Sequence, residues 1–156
     1  RNLSRYDFGP RQGIIENLPP VYGAPYPALV SSVDSDGNEV AGIRLPDVEV
    51  PLATVTGWNL RRSDTGGPDQ THKIMGSTVP FTFTRQERQD ISDPRPSVEE
   101  RYASKDDYLD RVEGVARDLV SEGYLLNEDV PRVGLMAGER YDLIESQAKQ
   151  VQPAGD

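Results

Sequence analysis

Asp34, Asp36 and Asn38 stand at alternate positions in VDSDGNEV, the spacing with which a calcium loop presents its first oxygen ligands. An EF-hand loop then needs glycine at the next position and a bidentate glutamate at the twelfth, where this chain has Glu39 and Leu45. The same short polar side chains, with Gly37 among them, are what a hairpin turn uses, and that plainer reading is preferred. His72 is the only histidine, so a Ser-His-Asp triad confined to this chain has to use it, and a two-histidine zinc site is excluded. Ser77, in GSTVP, lacks the Gly-x-Ser-x-Gly elbow; Ser121, in LVSEG, lacks the first glycine and falls in a helical stretch. A lone histidine in a polar loop reads first as a surface or hydrogen-bonding residue.

Two acidic pairs, Glu99/Glu100 and Asp106/Asp107, imitate the paired carboxylates of a general acid–base site. Each lies just after a serine, in the first turn of an expected helix, where carboxylates meet the positive end of the helix dipole. Capping therefore explains both pairs without catalysis. Trp58, in TGWN, could stack a sugar or a base, although one tryptophan in an apolar strand is more often core or interface. The helix–glycine–helix outline over 104–146 suggests a helix-turn-helix, but Glu128 and Asp129 open the second helix where a DNA reader wants neutral or basic side chains. Taken by themselves, the residues supply no catalytic, cofactor-binding or metal-binding set.

The elements that must carry these residues change character along the chain. Residues 1–27 scatter Pro10, Pro19, Pro20, Pro25 and Pro27 among aromatic and β-branched residues, which predicts an extended Pro/Gly-rich arm. Residues 28–60 predict a β-hairpin about Asp34–Asn38, a proline-bounded link, and a strand over 50–60 so apolar that both faces should be covered. A loop-rich connection follows over 61–96. The helical part, 97–148, has capping sequences at Ser97 and Ser104 and an apolar stripe through Tyr108, Leu109, Val112, Val115, Ala116, Leu119 and Val120. Gly123 stops that helix, and Asn127 opens another with Val130, Val133, Met136, Tyr141 and Ile144 on its apolar side. Residues 149–156 read as a flexible tail.

With 35% hydrophobic residues against 14 glycines and 13 prolines, the chain is expected to build a thin core or to lean on a partner surface. A formal charge of −9 disfavours nucleic acid as a partner, and no run of 18 apolar residues predicts a membrane span. The chain has no cysteine and so no disulfide. It starts at Arg1 with neither an initiator methionine nor a signal-peptide pattern, and is read as a processed or excised piece of something longer.

The phrases YDFGP (6–10), YPALVSSVDSDGNEVAGIRLPDVEVPLATVTGWNLR (26–61), GSTVPF (76–81), TRQER (84–88), DPRPSVEERY (93–102) and DYLDRVEGVARDLVSEGYLLNEDV (107–130) carry a resemblance. Over residues 6–130, in order and with matching spacing, the chain resembles the C-terminal portion of a bacterial family of alpha/beta hydrolase domain proteins. That resemblance implies an α+β segment (extended arm, β-hairpin plus strand, two to three helices) packed on an α/β-hydrolase core not contained in these residues. It implies an esterase-like serine hydrolase whose serine elbow and histidine segment both lie upstream, so no triad residue transfers. The family often has Cys-Gly-Leu where this chain has His72-Lys73-Ile74, which marks His72 as a departure and lowers its standing as a base.

Trp58, Asn59 and His72 are the expected pocket-lining residues, with no cofactor and no metal. The expected partners are the catalytic core, in the same parent chain or a tightly bound second one, and a small ester-type substrate; assembly into an oligomer stays open. Many members are exported, which implies a periplasmic or extracellular setting. The alternative is a non-catalytic protein-interaction module.

Overall fold

A computed structural model describes residues 4–11, 13–25, 29–62, 64, 71–72 and 75–151. Among them the chain is α+β, with three two-stranded sheets and five α-helices. It divides into two compact units, Arg1–Val30 with Gly57–Ser77, and Ser31–Thr56 with Thr78–Asp156.

In the first unit β1 (Ser4–Asp7) and β2 (Val21–Pro25) pair antiparallel, Tyr6 opposite Tyr22 with ring centroids 5.1 Å apart. The proline-rich arm thus folds back on itself. Pro10, Pro19 and Pro20 lie between the strands, where a missing N–H costs the ladder nothing. Further along the chain, β4 (Asn59–Leu60) pairs antiparallel with β5 (Thr71–His72).

The second unit begins with the expected turn. Val33 and Glu39 form an antiparallel bridge, and between them Asp34 Oδ1 accepts the amides of Asp36 at 2.9 Å and Asn38 at 3.0 Å. Gly37 takes φ +82°, and a Cβ there would meet Thr54 Cγ2 at 2.8 Å, so glycine is required twice over. The proline-bounded DVEV link is a short helix, α1 (Pro46–Glu49), started by a proline whose missing N–H is spare in a first turn. The apolar run 50–60 is not one strand: Val50, Pro51 and Leu52 are buried in the core, β3 covers only Ala53–Thr56, and Gly57 precedes β4. β3 pairs with β6 (Ser77–Pro80).

The helices α2 (Arg85–Asp90), α3 (Val98–Arg101), α4 (Lys105–Ser121) and α5 (Val130–Val151) complete the unit. The stripe on α4 buries Tyr108, Val112, Ala116 and Leu119. Ser104 Oγ accepts the Asp107 amide at 3.1 Å, and Gly123, at φ +82°, ends the helix. α5 folds back along α4, Lys105 at the start of one meeting Asp142 in the later half of the other at 2.6 Å. On α5, Val130, Ala137 and Tyr141 face the core with Val133 and Ile144 beside them, whereas Met136 is exposed. Ala137 occupies the inward position one residue on because the small side chain lets the helices approach. The core joins Val50, Leu52, Phe81, Val98, Tyr102, Tyr108, Val112, Ala137 and Tyr141.

Candidate functional site

The turn residues are used up as structure. Arg101 grips Asp36 with both guanidinium arms, at 2.7 and 2.5 Å, and Arg44 reaches Asp34 at 3.1 Å. Burial pushes the Asp34 carboxyl up, but the Asn38 amide, Arg44 and the Asp36 amide outweigh it and hold the group below its ordinary value. Asn38 is wholly buried; its amide nitrogen donates to Ala53 O at 3.1 Å and its oxygen accepts from Val55 N at 2.7 Å. One side chain there completes the ladder of β3 as a strand backbone would.

The acidic pairs are caps and anchors. Glu100 accepts the Ser97 amide at 3.0 Å, the Ser97 hydroxyl at 2.8 Å and Arg88 at 2.7 Å. The Ser97 amide first, then its hydroxyl and Arg88, lower its carboxyl to about 2. Glu99 accepts the Arg85 amide at 2.5 Å. Asp107 is lowered by Arg111 and by the Ala103 amide. A carboxylate held ionised this firmly makes a poor general acid or base near neutral pH.

The serines are likewise engaged. Ser77 donates to Trp58 O at 3.3 Å, and Ser121 donates to Asp118 O at 2.8 Å, one turn back along α4. His72 lies directly opposite Asn59 in the β4–β5 ladder, with Trp58 the neighbour of Asn59. The structure therefore brings Asn59 and His72 together in one short ladder of the first unit, with Trp58 just ahead of it in the chain, while the side chain of His72 lies outside the described atoms.

The second unit carries concave surface that the sequence did not single out. A cleft of about 450 Å³ opens between α1, β3, β6, α4 and α5, walled by Leu52, Ala53, Val55, Pro80, Leu143 and Ile144, with Tyr108 deep in it. Asp47 and Arg140 form an ion pair at the cleft, and Thr78 and Gln147 add polar edge. A second, almost wholly apolar hollow of about 330 Å³ shares Pro80, Ile144 and Gln147 with the first and continues to Phe81, Phe83 and Ile91.

Three tyrosines pack beneath the cleft, with centroids 5.1 Å apart for Tyr102–Tyr108 and 5.5 Å for Tyr108–Tyr141. Burial pushes the Tyr102 phenol up to about 12 and the Tyr108 phenol higher still. Both are neutral donors at any ordinary pH, so neither is a phenolate base. Tyr102 spends its proton on Pro51 O at 2.9 Å. Tyr108, on the apolar stripe of α4, was visible in the sequence only as a core residue.

The family profile described as alpha/beta hydrolase domain matches residues 14–134. The chain belongs to the alpha/beta hydrolase domain family. No curated protein and no solved structure matches it. For an alpha/beta hydrolase domain chain, its 156 residues are notable for holding one histidine and no Gly-x-Ser-x-Gly phrase. The matched span takes in the hairpin, β3–β6 and all of α4. The cleft residues Arg140, Leu143, Ile144 and Gln147 lie beyond it.

Proposed function

We propose that the chain is a supporting, C-terminal segment of a serine hydrolase acting on esters, and that its nucleophile and base come from residues outside these 156. The observation that carries this reading is the family match over 14–134 in a sequence whose serines lack an elbow and whose only histidine is His72. In the whole enzyme an elbow serine attacks the acyl carbon while a histidine takes its proton. Backbone amides hold the oxyanion, and the alcohol leaves with the proton the histidine returns. The present residues then provide packing against the α/β core, with Trp58 and the β4–β5 residues Asn59 and His72 as one wall of the substrate pocket. A periplasmic or extracellular setting belongs to the same reading.

The test is hydrolysis of p-nitrophenyl butyrate by the purified chain. The expected result is release no faster than in buffer. Turnover that persists in the His72→Ala, Ser77→Ala double variant overturns the supporting role, because it places a nucleophile elsewhere in these residues.

A second reading, a stand-alone protein-interaction module, is favoured by the apolar side chains Leu135, Met136 and Leu143 exposed along α5. Affinity purification from the native source separates the two. A serine hydrolase bound to the chain, or continuous with it, supports the first reading, and an unrelated protein supports the second.

A further inference from the structure

We infer that the cleft over Tyr108 is a binding site for a small uncharged molecule with an aliphatic body and one carbonyl acceptor, an ester or ketone, whose oxygen accepts a hydrogen bond from the Tyr108 hydroxyl. It goes beyond the supporting role proposed above.

Tyr108 is only 2% exposed, and burial is the chief influence on its phenol, with no hydrogen bond contributing. Buried tyrosine hydroxyls ordinarily have a partner. Among the described residues the one fully enclosed side-chain polar atom lacking a partner is Thr82 Oγ1, not the Tyr108 oxygen. The Tyr108 oxygen therefore keeps a sliver of accessible surface, and the cleft is the hollow that Tyr108 lines. An unpaired donor in an apolar hollow of this size is the arrangement of a small-molecule site: shape and apolar contact give affinity, and one polar group gives orientation.

The rest of the lining selects the ligand. Leu52, Ala53, Val55, Pro80 and Ile144 offer only apolar contact, and the two polar residues at the edge, Thr78 and Gln147, are both uncharged. The single cation, Arg140, is already neutralised by Asp47, so a carboxylate gains little there. A net charge of −9 also works against an anion. A cation has only Asp47, which Arg140 holds. What remains is a neutral molecule that accepts, and a phenol kept protonated by burial is always ready to donate to it.

The experiment titrates 2-heptanone, a ketone that cannot be hydrolysed, into the full chain and follows amide resonances by heteronuclear NMR. For eight heavy atoms a Kd on the order of 1 mM is expected, with saturable shifts centred on Ala53, Val55, Thr78 and Leu143. Tyr108→Phe keeps the ring and removes only the donor. It should leave the melting temperature unchanged or raised and weaken binding by about three- to tenfold. Val55→Trp, which fills the hollow from the half-buried edge of β3, should abolish the shifts. Absence of saturable shifts up to the solubility limit overturns the site, as do shifts centred elsewhere. Equal affinity in Tyr108→Phe overturns the role given to the hydroxyl, and undiminished binding in Val55→Trp overturns the location.

Discussion

Replacing Asn38 by alanine should be among the most damaging single changes in the second unit. The side chain is completely buried and serves two main-chain groups, the Ala53 carbonyl at 3.1 Å and the Val55 amide at 2.7 Å. Truncation strands both. An unsatisfied buried polar group costs about 1–3 kcal/mol, and Val55 is half-buried, so water can reach part of the gap; a total of about 3 kcal/mol is expected. With a urea m-value of about 2 kcal/mol/M, the midpoint of unfolding followed by circular dichroism should fall by about 1.5 M with an unchanged slope. Asn38→Asp is the sharper companion. It keeps the shape but turns the donor into an oxygen facing the Ala53 carbonyl, so it should be at least as destabilising at pH 7 and partly recover when acid protonates it. A midpoint shift below about 0.3 M for Asn38→Ala refutes the idea that one amide side chain completes the β3 ladder.

Tyr102→Phe should cost about 1–2 kcal/mol in the same urea assay, since it leaves the Pro51 carbonyl without its donor, whereas Tyr108→Phe should be neutral or stabilising. Arg101→Met should cost about 2–4 kcal/mol, read as a lower melting temperature. It strands the Asp36 carboxylate, whose side chain is 14% exposed, and removes a guanidinium 4.2 Å above the Phe81 ring. Acid should weaken the fold between about pH 4.5 and pH 2. Glu100 is lowered from 4.5 to about 2, so the unfolded chain takes the proton first and the stabilisation, complete above the upper value, is lost as pH falls to the lower. Asp93, held down chiefly by Arg95, acts in the same direction. In Glu100→Gln the acid limb of a melting-temperature profile should flatten.

The helical half of this fold can be read from the chain because its signals are local. The stripe on α4, the Ser104 cap and Gly123 each need only a few neighbouring residues to declare themselves. What escaped depends on distance or on geometry finer than a turn. α2 buries no side chain and so shows no stripe, yet Thr84 and Glu87 form a full capping box that the TRQE spelling already contained. Met136 was placed inward because it fits a helical period, and Ala137 took that side because α4 lies close. The 50–60 run looked like one strand because periodicity cannot separate buried coil from buried strand. Asp36 was visible as a turn residue, but its bond to Arg101, 65 positions away, was not. The cleft over Tyr108 draws walls from five elements, and nothing in the spacing of one helix announces it.

We place the nucleophile of this alpha/beta hydrolase family chain outside its 156 residues. A fluorophosphonate probe, which phosphonylates activated serines, tests this placement most directly when the intact mass of the purified chain is read after incubation. An unmodified mass is expected at times when a control serine hydrolase is fully labelled. One stoichiometric adduct on the native chain, lost on heat denaturation and mapped to a single serine, contradicts it.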